Sequence, residues 1–212
     1  LTDFNYEKMY VGWRGTVYNL CQQVSEGLPS MRVMDYGGGI GTTLIELSDL
    51  PGVQMTYGDL PGKTFDYASW RFQKRGLDVE TLLLDGEDPL AGREFDVIVC
   101  MEVIEHLVDP EKMVRYLIDH LRPGGFLIIT VTFYTNENGP FHLNCDRYNN
   151  EMFYGLVRNM GMQELTSYSP RVYQKTGAQA QAEAAPPAPV VQEVGAQTQV
   201  EAAPPVSIDQ TH

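Results

Sequence analysis

Short apolar runs alternate with segments of helical periodicity along the first 175 residues. The apolar runs predict five strands: 31–34, Val53–Gly58, Val79–Leu84, Phe95–Cys100 and Phe126–Phe133. The periodic segments predict five helices: Phe4–Val24, Thr42–Leu50, Thr64–Arg75, Pro110–Leu121 and Asn149–Met160. Gln163–Ser167 and Arg171–Lys175 add a closing antiparallel pair. Because strands and helices alternate, we predict an α/β protein with an N-terminal helix and a doubly wound, mostly parallel seven-stranded sheet.

The composition changes after Lys175. Residues 176–212 contain no Lys, Arg or aromatic residue, and GAQAQAEAAPPAPV at 177–190 recurs as GAQTQVEAAPPVSI at 195–208. Two copies with no aromatic residue and few large apolar side chains cannot bury a core, so we predict a disordered tail. This tail would be a passive spacer or a tether to a protein partner. The chain therefore divides into an N-terminal helical segment, a folded domain and a tail: 1–30, 31–175 and 176–212.

Composition narrows the possible partners and compartments. The 212 residues suit one domain with a full core. The net charge of −13 argues against a nucleic-acid partner, which needs clustered Lys and Arg. No apolar run approaches the roughly 18 residues of a membrane span. The three cysteines have no metal-type spacing, which predicts a reducing, cytoplasmic compartment.

A glycine-rich turn, MRVMDYGGGIGTT at 31–43, joins the first strand to the next helix. Three glycines follow Asp35 at alternate positions: Gly37, Gly39 and Gly41. Such a turn lets a backbone approach a nucleotide closely, because glycine accepts φ > 0 and has no Cβ, and a helix start presents free N–H groups. A dinucleotide turn needs G-x-G-x-x-G, but its third glycine would fall on Thr42 or Leu44. The spacing therefore disfavours a dinucleotide.

Acidic residues follow the first three predicted strands: Asp35, Asp59 and Asp85, with Glu87 as an alternative to the third. The carboxyl ends of parallel strands meet at one edge of a sheet, where ligands bind. An acid at the first strand tip suits a positively charged group of a ligand. At the second tip, a carboxylate can accept hydrogen bonds from both vicinal hydroxyls of a ribose.

The pattern D-x-G-x-G-x-G at 35–41 resembles the first motif of class I S-adenosylmethionine-dependent methyltransferases, which have a Rossmann-like fold. A glycine-rich turn of another α/β protein is the alternative. The resemblance implies S-adenosyl-L-methionine as cofactor, with Asp85 at the adenine amino group and a backbone N–H near Gly86 at the ring. We assign Met101 to the same cofactor site. The resemblance also implies that Arg14, on the N-terminal helix, binds the carboxylate of the methionine part of the cofactor. The alternative is that Arg14 is an ordinary surface residue.

Two segments, CMEVIEHLVDP at 100–110 and LRPGG at 121–125, look closest to the ubiquinone-pathway O-methyltransferases. The E-x-x-E-H element also occurs in small-RNA terminal 2′-O-methyltransferases, where its acids and His, with a further His, bind a divalent metal. The resemblance implies these positions as ligands: Glu102, Glu105, His106 and His142. The first three share a face if a helix begins at the strand end. Such a mixed oxygen and nitrogen set suits Mg²⁺, Mn²⁺, Fe²⁺ or Zn²⁺.

Without a metal, His142 or His106 is the leading candidate for a general base, and the two carboxylates would only cap the following helix. The predicted function is methyl transfer to a small-molecule acceptor, with O-methylation of a hydroxyl first. The alternatives are N- or C-methylation in the same fold and a non-catalytic binding module. An oxidoreductase ranks third, because the dinucleotide spacing is missing.

Overall fold

The structure, a computed structural model, describes residues 2–134 and 142–177, with side chains from residue 11 onward. Its helices are α1 Thr2–Glu26, α2 Thr42–Leu47, α3 Lys63–Arg75, α4 Pro110–Asp119 and α5 Asn150–Asn159. Its strands are β1 Met31–Tyr36, β2 Val53–Asp59, β3 Val79–Leu83, β4 Phe95–Met101, β5 Leu121–Thr130, β6 Met162–Glu164 and β7 Arg171–Lys175. The predicted disordered tail begins at Thr176, whose Oγ1 donates to the Gly161 carbonyl at 3.0 Å, and the rest of the prediction, from residue 178 onward, lies outside the described residues.

The seven strands form one sheet in the order β3-β2-β1-β4-β5-β7-β6. The first five strands pair in parallel, and β7 runs antiparallel to both β5 and β6. The predicted fold class is therefore confirmed. The strand order reverses between β1 and β4, and in doubly wound sheets the crevice outside the carboxyl ends at such a switch point is where ligands bind.

Two apolar cores cover the two faces of the sheet. One core joins α1, α2 and α3 to the sheet and includes Val17 and Phe72, and the other joins α4 and α5 to it and includes Leu117 and Phe153. Residues 97–101 of β4 alternate between these two cores, so this part of the strand is apolar on both faces, whereas Asp96 before it is a buried charged residue. None of the described helices is long and apolar enough to cross a membrane.

Two of the cysteines belong to these cores. Cys21 and Cys100 are both buried, and burial raises the pKa of the Cys21 thiol to about 12. Burial also raises the pKa of Cys100. Thiols that stay protonated are poor nucleophiles and metal ligands. Both side chains therefore act as core packing.

The LRPGG segment at 121–125 belongs to β5, although the predicted fifth strand began only at Phe126. Leu121 pairs with Phe95, and the register then shifts so that Phe126 pairs with Val97. Arg122 Nη1 lies 3.0 Å from Asp96 Oδ1 across this irregularity. A Cβ on Gly125 would lie 2.9 Å from the Arg122 carbonyl oxygen, so glycine permits the close backbone approach.

Two strands end earlier than the sequence pattern predicted, because side-chain acceptors bond to backbone N–H groups that would otherwise continue the strand pairing. β5 stops at Thr130 rather than Phe133 because the Phe133 N–H donates to Asn150 Oδ1 at 2.7 Å instead of to a strand. β6 stops at Glu164 rather than Ser167 because Thr166 Oγ1 accepts the Val172 N–H at 2.9 Å. Side-chain acceptors that compete with the ladder leave no periodic signal in the sequence.

Candidate active site

The glycine turn follows β1 with three left-handed residues: Gly37 at φ 69°, Gly39 at φ 55° and Gly41 at φ 74°. A Cβ on Gly41 would overlap the Phe72 ring, and one on Gly37 would lie 2.5 Å from a Val103 methyl. A Cβ on Gly39 would meet no atom within 4 Å among the described residues. The turn therefore packs tightly at its two ends and faces open space at its middle, where a ligand can approach the backbone.

Asp59, the last residue of β2, fixes this turn. Its Oδ2 accepts the Gly39 N–H at 2.8 Å, and its Oδ1 accepts the Leu60 N–H at 2.7 Å. Each carboxylate oxygen has a second lone pair, so the side chain can still accept bonds from a ligand. The Tyr57 hydroxyl donates to the Gly39 carbonyl at 2.6 Å and holds the turn from below.

Sequence analysis missed Tyr57. The residue lies two positions before Asp59, so the alternation along a strand places both side chains on one face. That spacing was the available signal, but an aromatic residue in a strand more often serves the core.

Asp35 lies in β1 beneath the turn, and only 3% of its surface is exposed. A Cβ on Gly38 would lie 2.7 Å from its Oδ2, and that oxygen has no hydrogen-bond partner among the described residues. Burial, and secondarily the charge of Asp59, raises the pKa of Asp35 to about 7, although a bond from Thr43 opposes the shift. Burying a carboxylate oxygen that has no hydrogen-bond partner costs free energy, and a cationic ligand would offset that cost.

The other predicted cofactor residues lie along the same edge. Asp85 and Gly86 follow β3 and are exposed, and Met101 ends β4 and is half-buried. A cavity of about 330 Å³ opens at Gly86, with Tyr36, Leu84 and Met113 also in its lining. Asp59, Asp85 and Met101 do not line this cavity.

Arg14 is engaged within the protein. Its Nε lies 2.7 Å from Glu46 Oε1, which joins α1 to α2. The pair fixes α1 over the helix that follows the glycine turn. The structure thus places Arg14 in an ion pair, and its predicted contact with a methionine carboxylate stays a prediction.

The shared helix face that would follow if a helix began at the end of β4 is not formed. Glu102 is left-handed at φ 54°, and a single 3₁₀ turn, Ile104–His106, replaces the helix. The reason is a pair of contacts with β5 and the segment after it. The Glu102 N–H donates to Thr130 Oγ1 at 2.9 Å, and Glu102 Oε2 accepts from Thr132 Oγ1 at 3.0 Å.

Three of the four predicted ligands still come together. Glu105, His106 and His142 offer ligand atoms that all lie within 4.8 Å of one another, and Glu102 is outside that set. The rings of His106 and His142 meet edge to face with centroids 5.0 Å apart.

Glu105 is the buried member of this cluster, with 0% exposure. Neither of its carboxylate oxygens has a hydrogen-bond partner among the described residues. Burial and the charge of Glu102 hold the pKa of Glu105 well above its usual range. An unsatisfied buried carboxyl beside two imidazoles is a donor set that a divalent cation would suit.

His142 has one ring nitrogen committed. Its Nδ1 lies 3.1 Å from the Tyr134 carbonyl oxygen, which can only accept a hydrogen bond. Nδ1 therefore carries the proton, and Nε2 keeps its lone pair in the neutral ring. That nitrogen can bind a metal or accept a proton.

Comparisons with known proteins agree with this geometry. A family model described as a methyltransferase domain matches residues 14–171. The ubiquinone biosynthesis O-methyltransferase of Chromobacterium violaceum is 34% identical over 114 residues, which are 53% of this chain and 47% of that protein. The Bordetella pertussis protein of the same name is 32% identical over 111 residues, 51% and 46% of the two chains. The chain thus spans about half the length of these curated relatives.

A solved structure shares the fold. The crystal structure of an S-adenosylmethionine-dependent methyltransferase from Clostridium acetobutylicum matches with a TM-score of 0.59 at 16% identity, over 80% of this chain and 92% of that one. The family match covers most of the chain and both halves of the sheet, including the glycine turn and the E-x-x-E-H segment. The recognition made from the 35–41 spacing is confirmed: the chain belongs to the methyltransferase-domain family.

Proposed function

We propose that this chain transfers the methyl group of S-adenosylmethionine to a hydroxyl oxygen of a small-molecule acceptor. The observation that carries the proposal is the glycine turn with the two carboxylates beside it, Asp59 and Asp35. Gly39 faces open space, Asp59 retains acceptor capacity beside it, and Asp35 Oδ2 lies beneath it with no hydrogen-bond partner among the described residues. The relatives named as O-methyltransferases favour oxygen over nitrogen or carbon.

Each residue of the turn has a task in this proposal. Asp59 would accept hydrogen bonds from the ribose hydroxyls, and Asp85 with the Gly86 N–H would meet the adenine. The ionised Asp35 would favour the positive end of the ligand. S-adenosylmethionine would supply the methyl group that its sulfonium carries. An acceptor oxygen would attack the carbon of that methyl group in line with the carbon–sulfur bond, which breaks and releases S-adenosylhomocysteine. The protein's main contribution would be to position the two reactants.

We propose that His106 and His142 take part in removing the proton of the acceptor hydroxyl. In the first version of the proposal, His142 Nε2 or His106 takes the proton of the acceptor hydroxyl as general base. In the second version, Glu105, His106 and His142 hold a divalent metal such as Mg²⁺, Mn²⁺, Fe²⁺ or Zn²⁺, with Glu102 nearby. A bound ion would supply Lewis acidity that lowers the pKa of an acceptor hydroxyl.

Calorimetric titration tests the cofactor. We expect S-adenosylhomocysteine to bind the full chain and NADH not to bind. NADH binding without S-adenosylhomocysteine binding would contradict the proposal. Turnover then separates the enzyme from a non-catalytic binding module, since the module would bind the cofactor yet methylate no acceptor in a panel of phenols, amines and carbon acids. The class of acceptor that is methylated decides between O-, N- and C-transfer.

Chelation distinguishes the two versions of the acceptor site. With a metal, a chelator and the His142→Ala substitution should each reduce activity, and added metal should restore only the chelated native chain. With a general base, the chelator should have no effect, and His142→Ala should regain part of its activity at high pH. His120→Ala is the matched control, because that ring lies beside Asp88 and Tyr116, outside the predicted set. Full activity in the presence of chelator would end the metal version.

A further inference from the structure

Helix α3 carries an exposed aromatic pair that the proposed function does not use. Tyr67 and Trp70 are 49% and 52% exposed. Their rings stack with centroids 5.7 Å apart and an interplanar angle of 19°. Single exposed apolar residues are ordinary on protein surfaces, but two stacked aromatic rings form a contiguous patch of the kind found at interaction sites.

Two lysines flank the pair on the same face. Lys63, Tyr67, Trp70 and Lys74 are spaced i, i+4, i+7 and i+11, so they line one side of the helix. We call these four residues the outer stripe of α3. No ion pair within the described residues holds either lysine. Lys74 also complements the helix dipole, but the dipole does not explain why two aromatic rings face outward.

The stripe is connected to the glycine turn. Arg71 lies one residue beyond Trp70, and its guanidinium stands 5.9 Å from the centre of the Tyr67 ring. Its Nη1 donates to Thr42 Oγ1 at 2.9 Å and to the Ile40 carbonyl. Arg71 therefore links the stripe, through Tyr67, to residues 40 and 42 of the turn.

The chain contains a segment with the complementary chemistry. Residues 178–212 carry four acids and neither Lys nor Arg, whereas α3 has four basic residues and one acid in a chain of net charge −13. The segment also holds two proline pairs, Pro186-Pro187 and Pro204-Pro205. Proline pairs favour an extended, preformed conformation whose rings pack on exposed aromatic faces, as in the recognition of proline-rich peptides.

The spacing of the repeat matches the stripe. In each copy a glutamate, Glu183 or Glu201, comes three residues before the proline pair, about 9 Å in an extended chain. On α3 each lysine is four residues from the nearest aromatic of the stripe, about 6 Å along the axis, and a lysine side chain spans the difference. One copy can therefore place its prolines on the rings and its acid at a lysine.

The chain also has the length to reach the stripe. β7 runs antiparallel to β5, so the chain leaves the sheet at the amino ends of the parallel strands. The last turn of α3 returns to the same edge, where it leads into β3. Four strand spacings separate β7 from β2, about 19 Å, and the residues between Gly177 and Pro204 can span about 80 Å.

From these observations we infer that the 178–212 segment docks, through its Glu-x-x-Pro-Pro repeats, onto the outer stripe of α3 in the same chain. The docked tail would then be more than a spacer, because it would cover the helix whose Arg71 bonds to Ile40 and Thr42 of the glycine turn. The alternative occupants are the tail of a second copy and an anionic membrane surface, and both are outcomes of the test below.

Tryptophan fluorescence reads the stripe directly. The chain has two tryptophans, Trp13 at 7% exposure and Trp70 on the stripe, and the tail has no aromatic residue. Acrylamide quenching of the full chain carrying Trp13→Phe therefore reports Trp70 alone. If that variant loses structure by circular dichroism, the native chain serves, because buried Trp13 contributes the inaccessible fraction.

The decisive variant changes Pro186, Pro187, Pro204 and Pro205 to Ala within the full chain. A tail docked in at least half of the molecules shields the ring, so we expect the quenching constant to rise about twofold. Lys63→Gln with Lys74→Gln, or about 1 M salt, should raise it in the same direction, because docking uses charge. The matched control changes four tail glutamines, Gln179, Gln181, Gln197 and Gln199, to Ala and should leave quenching unchanged.

Three results would overturn the inference. An unchanged quenching constant in the proline variant means that the tail does not cover Trp70. Protection that grows with protein concentration assigns the stripe to the tail of a second copy. Protection that appears only with anionic phospholipid vesicles, and equally in the proline variant, assigns it to a membrane surface.

Discussion

Asp59 shows how one side chain serves both the fold and the proposed site. Its two oxygens accept the backbone N–H groups of Gly39 and Leu60, which fixes the path of the chain on both sides of the carboxylate. The same oxygens face the open side of the glycine turn. A substitution there tests shape and ligand contact together, so the choice of replacement matters.

We expect Asp59→Asn to weaken S-adenosylhomocysteine binding by about 2–3 kcal/mol, the scale of hydrogen bonds to a charged group. Asn keeps one acceptor oxygen, so the turn retains part of its support. Asp66→Asn is the control, since Asp66 lies in the first turn of α3 and is exposed. Calorimetric titration of both variants measures the difference, and equal affinities would refute the ribose assignment.

The buried Asp35 makes stability depend on pH. Its pKa is about 7 in the folded protein, against about 3.9 in an unfolded chain. Folding therefore favours the protonated form, and this contribution to stability is present at low pH and lost as pH rises through 7. The main cause of the raised pKa is burial, which disfavours the charged carboxylate. An uncharged side chain of the same shape has no charged form to disfavour.

In the absence of cofactor, Asp35→Asn should be more stable than the native chain, and this difference in the free energy of unfolding should grow by about 2–3 kcal/mol from pH 5 to pH 8. Urea unfolding at both pH values measures the gain, and all other titrating groups cancel because the two chains share them. The same variant should bind S-adenosylhomocysteine more weakly at pH 8. Parallel stability profiles for the two chains would show that Asp35 does not titrate in this range.

At this scale the sequence predicts positions better than conformations. Asp35, Asp59 and Asp85 could be placed at one edge because apolar runs show where parallel strands end. The left-handed Glu102 could not be predicted, because it depends on Thr130 and Thr132, about thirty residues further along. Long-range side-chain contacts decide such residues, and a local pattern does not contain them.

The glycine turn acts as a packing joint between β1, α2 and α3. Gly41 at φ 74° sits against the ring of Phe72 in α3, whereas Gly39 at φ 55° has open space beside its Cα. The two glycines therefore serve different ends, although the sequence pattern treats them alike.

Alanine at the two positions separates these roles. Left-handed alanine costs about 1–2 kcal/mol at either position. Gly41→Ala should lose about a further 1–3 kcal/mol, because its methyl overlaps Phe72. Gly39→Ala should lose little more than the backbone cost, yet weaken S-adenosylhomocysteine binding. Urea unfolding and calorimetric titration measure the two effects, and equal destabilisation would contradict the packing argument.

Elements as a whole are well predicted here, and their ends less so. All seven strands and all five helices were expected, since apolar runs and helical periodicity reflect the two cores directly. The errors fall where Asn150 and Thr166 supply side-chain acceptors and where Arg122 pairs with Asp96. Such polar contacts do not alter the apolar pattern from which the boundaries were derived.

At the scale of the molecule, the sheet brings two clusters of carboxyls to the carboxyl ends of its central strands. Asp35 and Asp59 serve the glycine turn, and Glu102 and Glu105 follow β4 on the other side of the switch point. The cytoplasmic compartment and the absence of a nucleic-acid partner stay predictions from composition. So do the boundaries at residues 30 and 175.

The folded unit should not need the tail. β7 completes the domain: Tyr173 is fully buried, Val172 is nearly so, and Lys175 Nζ donates to the carbonyls of Ile118 and Leu121 at 2.8 and 2.7 Å. The 178–212 segment has one isoleucine and five valines but no Leu, Met or aromatic residue to add to either core.

A chain ending at Gly177 should therefore unfold at nearly the same temperature as the full chain, with a change in the free energy of unfolding below about 1 kcal/mol even if a docked tail is lost. A chain ending at Pro170 is the control, because it removes β7, uncovers the edge of β5 and should fail to fold. Thermal unfolding followed by circular dichroism compares the three chains. A drop of more than about 10 °C for the Gly177 chain would mean that the tail packs into the domain, since 1 kcal/mol corresponds to only a few degrees at this size.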